Sequence, residues 1–357
     1  MIHIILGTRA QLIKMAPIMK EMQNQNIDYN FIFLAQHKET MNSMIEMFGI
    51  KKPDVIIGNI DQDITNSRTM ALWSMKVITY ALLNKNKVFR NDKNGIVLVH
   101  GDAPPAFLGA LIAKCSGLKV AHIESGLRSF NLFSPFPEEI IRILTFSLTN
   151  YYFSPGDWAI NNLKKYRGKK INTKENTLLD ALHIALKNLD KIEVDIPTQK
   201  YCMATIHRFE NISEKNKFKE ILDIIENISK KIKVLFILHP PTRKKLEEYR
   251  LLEKLKENKN IELRPRYDYF EFIKLVINSE FLITDGGSNQ EECYYLGKPC
   301  LLFRNETERK EGLGKNVLLS KFDKSVIDNF VDNYLKYKFD TLDNNLSVSK
   351  MIVNEIR

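Results

Sequence analysis

The stretch Glu280-Phe281-Leu282-Ile283-Thr284-Asp285-Gly286-Gly287-Ser288-Asn289-Gln290-Glu291-Glu292 decides the fold of this chain. Its apolar first part is typical of a buried strand, and the part after Ser288 continues as a helix that ends near Gly297. The glycine pair lets a ligand approach the backbone, and the helix start offers free N–H groups and a partial positive charge to an anion. Glu292 is placed to accept hydrogen bonds from two ribose hydroxyls. We interpret the stretch as a nucleotide site, although the glycine pair alone also fits an ordinary strand–turn–helix corner.

Length and charge limit the classes of protein that this chain can belong to. It has 357 residues, 44% of them hydrophobic, and single cores stop growing at about 250–300 residues. Two domains are therefore expected. The formal net charge is +10, but bases and acids are mixed along the chain, as is typical of a solvated surface that would also attract a phosphorylated substrate. We expect no nucleic acid partner, because no nucleic-acid-binding module is recognisable.

The cysteines and the apolar runs indicate in which cellular compartment the protein is located. The four cysteines form no C-x-x-C pair, and no His–Cys cluster has metal-ligand spacing. We expect a reducing compartment, no metal, no cofactor, and Cys115 and Cys202 as small core residues. No apolar run approaches the roughly 20 residues that cross a membrane, and no signal-peptide pattern opens the chain. These features favour a cytoplasmic protein that does not bind membranes.

Short apolar runs alternate with stretches of helical period, which predicts parallel sheets with crossover helices. The fold class is therefore α/β, with Rossmann-like domains at residues 1–166 and 172–335 and a polar linker within 164–175. A helix in residues 340–357 is predicted to pack back on the N-terminal domain. The predicted strands are residues 2–6, 30–35, 54–58, 96–100, 119–123, 151–153, 201–206, 234–239, 261–263, 281–284 and 300–303.

Ionisable residues follow most of the predicted strands, and open α/β sheets bind ligands outside the carboxyl ends of their strands. A single residue of this kind is more often a cap or a turn former. Five of the seven histidines nevertheless occupy such positions. We expect one site in a cleft between the two domains. The residues concerned are Arg9, Lys14, His37, His100, Asp102, His122, Glu124, His207, Arg208, His239, Asp285, Arg304 and Arg309.

The segment Ser134-Pro135-Phe136-Pro137-Glu138-Glu139-Ile140-Ile141-Arg142 has the features of a stable helix start. A proline at the first helical position is followed by two acids in the first turn. Taken alone, this pattern indicates a structural role for both glutamates.

The ordered motifs resemble those of the UDP-N-acetylglucosamine 2-epimerases, two-domain proteins related in architecture to GT-B glycosyltransferases. The resemblance covers nearly the whole chain, and so many ordered matches are a specific signal. The matching stretches are residues 7–17, 35–37, 100–102, 122–128, 134–139, 176–180, 207–211, 285–292, 296–299 and 307–311.

The resemblance implies a catalytic group made of Asp102, Glu124, Glu138 and His207. In the family reaction, the C2 proton is removed and UDP is expelled to give a glycal. UDP then returns after reprotonation on the other face. The reaction supplies precursors for cell-surface polysaccharides. A dry site would make a carboxylate more basic, and positive charge is needed where the leaving diphosphate develops its charge. The sequence does not say which carboxylate takes the proton.

The same resemblance implies binding partners and a set of substrate-binding residues. The expected partners are a UDP-sugar and a second copy of the chain, since the family tends to form dimers. Arg9 and Lys14 match residues beside the sugar-diphosphate, and the predicted substrate-binding set in the second domain is Arg208, His239, Phe272, Gly286, Gly287, Ser288, Glu292 and Arg309.

Departures from the family pattern leave the outcome of the reaction open. Gln11 stands where an acid is common, and the Arg9-Ala10 pair resembles the hydrolysing branch. Gly126-Leu127-Arg128 and the Pro-Phe-Pro-Glu-Glu motif favour the non-hydrolysing branch, which we therefore expect. The alternatives are a hydrolysing 2-epimerase that releases UDP and N-acetylmannosamine, and a GT-B glycosyltransferase.

Overall fold

In a computed structural model of the protein, the structure describes residues 1–35, 41–58, 67–132, 136–341 and 346–357. They form two compact units, Met1–Ile184 with Leu346–Arg357, and Ala185–Asn345. Each unit contains one sheet, and every strand pair described in it is parallel. The predicted α/β class with two parallel-sheet domains is confirmed.

The first unit has a seven-stranded sheet in the order β3-β2-β1-β4-β5-β6-β7. Its strands are β1 (Ile2–Leu6), β2 (Tyr29–Leu34), β3 (Val55–Ile57), β4 (Ile96–His100), β5 (Lys119–Ile123), β6 (Tyr151–Ser154) and β7 (Lys169–Asn172). The helices that begin in this unit are α1 (Arg9–Asn24), α2 (Met41–Phe48), α3 (Ser67–Leu83), α4 (Lys85–Val88), α5 (Pro104–Cys115), α6 (Glu138–Leu148), α7 (Asp157–Asn162) and α8 (Leu178–Lys187).

The second unit has a six-stranded sheet in the order β10-β9-β8-β11-β12-β13. Its strands are β8 (Tyr201–Thr205), β9 (Lys233–Leu238), β10 (Ile261–Pro265), β11 (Leu282–Thr284), β12 (Cys300–Leu302) and β13 (Val317–Leu319). Its further helices are α9 (Phe209–Ile212), α10 (Lys215–Ser229), α11 (Pro240–Glu248), α12 (Leu252–Glu257), α13 (Tyr269–Asn278), α14 (Gly287–Leu296) and α15 (Lys324–Asn333), with 3₁₀ turns at Leu189–Lys191 and Tyr334–Tyr337.

The polar segment that was predicted as a linker contains a strand. β7 pairs with β6 in parallel, and main-chain bonds from Lys169 N to Asn150 O and from Thr173 N to Ser154 O, both 2.9 Å, extend the pairing. The prediction failed because an edge strand buries little side-chain surface, so its composition is polar. The first unit consequently runs on to Ile184. A second strand that the sequence analysis missed, β13, pairs with β12.

The last helix, α16 (Val348–Ile356), belongs to the first unit. The N–H of Ser349 donates to Asp180 Oδ2 at 2.6 Å, and Lys169 forms an ion pair with Glu355. Val348, Ile352 and Val353 are buried. This helix returns the end of the chain to the first sheet.

Burial of the apolar side chains follows the layers of each unit. The residues of β1 and β8 are buried throughout, as expected for parallel strands that are covered on both faces. Cys202 is buried as predicted, whereas Cys115 is exposed because it ends α5 at the surface. Among the described residues, no helix is long and apolar enough to cross a membrane.

The strand order gives each sheet one topological switch point. β1 lies between β2 and β4, and β8 lies between β9 and β11, so the connections leave each central strand in opposite directions. A crevice opens at the carboxyl edge of such a pair, and ligands of open α/β sheets bind there. In this chain the two edges are formed by the ends of β1 and β4, and by the ends of β8 and β11.

Candidate active site

Asp102 follows β4 in a turn that starts at Gly101, whose φ of +66° suits glycine. Its carboxylate accepts a hydrogen bond from Arg142 Nε at 2.9 Å, while its side chain keeps 30% of its exposure. Arg142 is almost fully buried on α6 and donates from Nη1 to Glu139 at 3.2 Å. Asp102 is therefore an accessible carboxylate whose charge is balanced by an arginine fixed from behind.

Two buried histidines lie behind this turn. Since His122 Nε2 lies 2.8 Å from the carbonyl oxygen of Gly101, it must donate, and Nδ1 then accepts from Ser125 Oγ at 3.0 Å. Burial lowers the pKa of His122 to about 4 and that of His100 to about 3. Both rings are neutral at physiological pH. His122 uses both nitrogens to hold the turn, which makes it a structural residue of the site.

Glu124, the first residue after β5, has a φ of +60°, in the left-handed region that non-glycine residues seldom adopt. Its side chain is buried, with 4% residual exposure. Lys14 Nζ and Asn176 Nδ2 both donate to Glu124 Oε2. Backbone strain of this kind persists only where the surroundings fix the residue, and it is concentrated at functional sites. In this structure Lys14 is an ion-pair partner of Glu124, and its predicted contact with a sugar-diphosphate stays a prediction.

Gln11 connects the two strand ends at the first switch point. Its Oε1 accepts from Gly7 N at 3.0 Å and from Thr8 N at 3.2 Å, and its Nε2 donates to His100 O at 2.8 Å. A carboxylate at this position could accept the first two bonds but could not donate the third. The departure from the family pattern at Gln11 therefore has a structural role. The predicted binding residue Arg9 is buried at the start of α1.

The two adjacent glutamates of α6 differ in their surroundings. Glu139 is fully buried and accepts from Ser129 N at 3.0 Å, with Arg128 and Arg142 as ion-pair partners. Burial acts to raise the pKa of Glu139, but the Ser129 hydrogen bond and the two arginines outweigh it and lower the pKa below its ordinary value. Glu139 is structural, as the sequence indicates.

Glu138 is half-buried and is the first residue of the helix, so Pro137 is the N-cap residue and does not occupy the predicted first helical position. The catalytic role of Glu138 stays a prediction.

In the second unit, Asp285 and His207 meet at the ends of β11 and β8. Asp285 is fully buried. It accepts from His207 N at 3.1 Å, from Arg208 N at 2.9 Å and from Asn211 Nδ2 at 3.0 Å. The ring atom Nδ1 of His207 lies 3.2 Å from Asp285 Oδ1, and the side chain is 32% exposed. A carboxylate this close to Nδ1 favours the tautomer that carries the proton there, which places the lone pair of the ring on Nε2.

The glycine turn is shaped by its protein neighbours. A Cβ at Gly286 would lie 3.1 Å from His207 Cε1 and 2.6 Å from Asn289 Oδ1, and a Cβ at Gly287 would lie 2.8 Å from Arg309 Nε. From the sequence, these glycines are expected to let a ligand approach the backbone. The structure shows that they also make room for His207 and Arg309, two predicted site residues. His207 in turn stacks on His239, with ring centroids 4.4 Å apart and planes 18° apart.

Arg309 and Glu292 are placed by α14. Arg309 Nη1 donates to Glu291 Oε2 at 2.8 Å, and Tyr295 OH donates to Glu291 Oε1 at 3.1 Å. Glu292 is nearly buried and accepts from Asn289 Nδ2 at 2.9 Å. The helix thus holds one charged residue of each sign beside its first turn, at the end that carries the partial positive charge.

The remaining predicted residues of this unit are less constrained. Arg208 donates from Nη1 to Glu210 at 3.1 Å, Ser288 is half-buried in the first turn of α14, and Phe272 is half-buried on α13. His37 of the predicted set, and Ser134 and Pro135 of the motif before α6, lie outside the described residues. Within the described ranges, no group of three His, Cys, Asp or Glu side chains could hold a metal ion.

Four residues that hold predicted site residues in place, within one unit or the other, had no site role predicted from the sequence: Gln11, Arg142, Asn176 and Glu291. Gln11, Arg142 and Asn176 each contact a partner that is distant in sequence. Glu291 lies next to the predicted residue Glu292 on α14. Asp285 was noticed as the end of a strand, but its contact with His207 joins residues 78 positions apart. Gln11 gave a signal in the sequence as a departure from an expected acid, and Asn176 and Glu291 lie in stretches that match the family, whereas Arg142 gave none.

These features define a class. Two doubly wound parallel-sheet units follow each other in one chain, with acids at the switch point of the first and a His–Asp pair beside a helix start at that of the second. The architecture is that of GT-B-like enzymes of nucleotide-sugar chemistry.

A family model described as UDP-N-acetylglucosamine 2-epimerase matches residues 20–348. The UDP-N-acetylglucosamine 2-epimerase of Methanocaldococcus jannaschii is 36% identical over 338 residues, which cover 89% of this chain and 88% of that protein. The enzyme of the same name from Methanococcus maripaludis is 37% identical, over 94% of this chain and 92% of that protein. The chain belongs to the UDP-N-acetylglucosamine 2-epimerase family.

Solved structures agree. A crystal structure of the Methanocaldococcus jannaschii enzyme in complex with UDP-GlcNAc and UDP has a TM-score of 0.84 and 31% identity, covering 99% of both chains. That of the Neisseria meningitidis enzyme bound to UDP-GlcNAc has a TM-score of 0.85 and 29% identity, again covering 99% of both chains. The chain is thus an isomerase that epimerises UDP-N-acetylglucosamine. A cytoplasmic location, a homodimer and a cleft between the domains stay predictions.

Proposed function

We propose that the protein inverts C2 of UDP-N-acetylglucosamine by the non-hydrolysing route, so that UDP returns to the sugar and the product is the manno epimer of the UDP-sugar. The observation that carries the proposal is the pair of carboxylates at the ends of the neighbouring strands β4 and β5. His100 and Ile123 are register partners, so Asp102 and Glu124 leave the sheet side by side. A Cβ atom added to Gly101 would lie 3.7 Å from Glu124 Oε1.

Two carboxylates in different surroundings suit a reaction that removes a proton from one face of a carbon and returns one to the other face. Glu124 is buried against the ammonium of Lys14, whereas Asp102 is partly exposed against Arg142. Environments that differ in this way let one carboxyl group act as a base while another acts as an acid. The positive charges beside both acids also favour the departure of an anionic leaving group.

The second unit supplies the groups that suit the nucleotide. The turn from Gly286 to Ser288 opens α14, whose start favours a phosphate, and Glu292 is a carboxylate placed one turn inside. Arg309 adds a guanidinium, which binds phosphate oxygens well. We assign nucleotide binding to these residues. His207, whose Nε2 is the hydrogen-bond acceptor, completes the catalytic group.

The non-hydrolysing route is supported by the motifs that favour that branch. Arg128 of the Gly-Leu-Arg motif forms an ion pair with Glu139 of the Pro-Phe-Pro-Glu-Glu motif, and Glu139 in turn contacts Arg142, the partner of Asp102. The two motifs therefore form one charged network that ends on a proposed catalytic acid.

The test is turnover of UDP-N-acetylglucosamine in deuterated water, followed by NMR. We expect a mixture of the two UDP-sugars with deuterium at C2 and no stoichiometric release of free UDP. Free UDP with N-acetylmannosamine, one for one, would instead establish the hydrolysing reaction. Turnover that requires an added sugar acceptor would establish a glycosyltransferase. Glu124→Gln, prepared in parallel, should incorporate no deuterium, because it lacks a proposed catalytic carboxylate.

A further inference from the structure

Asn176 lies between β7 and α8 and is 2% exposed. Its Nδ2 donates to Glu124 Oε2, the oxygen that Lys14 Nζ also contacts. Two donors from different elements therefore meet at one oxygen of a proposed catalytic carboxylate. The other oxygen, Oε1, is the one on the side of Gly101, the residue before Asp102.

The two donors differ in what they contribute. Lys14 brings a positive charge on a chain of four methylene groups. Asn176 brings a short side chain with two rotatable bonds, so it constrains direction at a small cost in conformational entropy. An amide also stabilises the charged carboxylate without adding net charge to the site.

Asn176 is itself fixed by the end of the chain. Its Oδ1 accepts from Thr177 Oγ1 at 3.3 Å. Val348 and Ile352 of α16 line a small enclosed space together with Glu124, Asn176 and Thr177. The contact between Ser349 N and Asp180 fixes α16 to the helix that follows Asn176. The left-handed backbone of Glu124 is thus held in place by packing from behind and by two hydrogen bonds in front.

We propose that Asn176 is a positioning residue of the reaction, which holds Glu124 by Oε2 in the orientation in which this carboxylate exchanges a proton with the substrate. The inference rests on the proposed function, in which Glu124 belongs to the catalytic group. It predicts that an aspartate cannot replace Asn176, since an aspartate would set a second carboxylate against Oε2.

The test compares Asn176→Ala and Asn176→Asp with Asn161→Asp, a control at an exposed position of α7 in the same unit. We expect kcat to fall by about 10- to 100-fold in the two Asn176 variants, the value of one hydrogen bond to a charged group. Their affinity for UDP, measured by calorimetry, should stay that of the wild type. With substrate deuterated at C2, the isotope effect on kcat should increase, because proton transfer becomes slower than the other steps.

Three outcomes are informative. Wild-type kcat and isotope effect in folded Asn176→Ala and Asn176→Asp, with an inactive Glu124→Gln, would overturn the positioning role and leave the proposed function intact. Full activity of Glu124→Gln itself would overturn the assignment of Glu124. A lower melting temperature with unchanged kcat would show that Asn176 is only structural.

Discussion

Asp285→Asn tests whether Asp285 orients His207. In the wild-type protein the carboxylate accepts hydrogen bonds from His207 N, Arg208 N and Asn211 Nδ2, and it lies 3.2 Å from His207 Nδ1. An amide replaces one acceptor oxygen by an NH₂ group, so that group must face one set of donors. If the amide oxygen keeps Arg208 and Asn211, the NH₂ group points at the His207 ring and donates to Nδ1. The ring proton then moves to Nε2, and His207 changes from an acceptor to a donor.

The size of the effect follows from these contacts. One or two charge-assisted hydrogen bonds are lost, at about 1.5–3 kcal/mol each, which corresponds to a fall in melting temperature of roughly 5–15 °C. The loss in kcat should be about 10³-fold, since an Asp→Asn change behind a catalytic histidine costs up to ~10⁴-fold in a serine protease triad. Affinity for UDP should change much less, because Glu292 and Arg309 remain.

Steady-state kinetics and ¹⁵N NMR of histidine-labelled protein measure both consequences. Asn211→Ala is the matched control, because it removes the 3.0 Å bond to the same carboxylate but leaves the ring contact in place. It should lower stability without changing the tautomer. Wild-type kcat in Asp285→Asn, combined with a ring protonated at Nε2, would refute the argument that the tautomer matters.

Asp102→Asn should lower kcat far more than it weakens substrate binding, as kinetics together with calorimetry would show, and an equal change in both would contradict a catalytic role. Gly286→Ala should lower kcat with only a modest loss of stability, since the new Cβ would lie 2.6 Å from Asn289 Oδ1, which must move, and 3.1 Å from His207 Cε1, so that the ring must give by a few tenths of an ångström; unchanged kinetics would count against the proposed role of His207. The folded-state pKa of His122, about 4, and that of His100, about 3, lie below the ordinary value of 6.5. The unfolded chain therefore binds more protons between about pH 4 and 6.5, and the free energy of unfolding falls as the pH falls through that window, by up to ~1.4 kcal/mol per pH unit for each ring. Urea denaturation across this range should show the decline, and His122→Gln should make it less steep; an unchanged slope in that variant would contradict the assignment.

Much of the fold could be predicted because its signals are local. Eleven strands of the structure overlap stretches that the apolar runs predict, and they shift by a residue or two at their ends. β7 and β13 escaped prediction for a different reason. Both lie at the edges of their sheets, but β7 reads Lys-Lys-Ile-Asn and gives no apolar run, whereas β13 is a run of only three apolar residues, Val317–Leu319.

The sequence by itself determined the alternation of strands and helices, the glycine turn after β11 and the placing of acids and histidines at strand ends, because each of these depends on neighbours along the chain. Only the tertiary structure decided which groups meet. It joined Asn176 and Lys14 to Glu124, and Asp285 to His207, across 52, 110 and 78 positions. Hydrogen bonds between such residues depend on strand order and on helix packing, which no local pattern encodes.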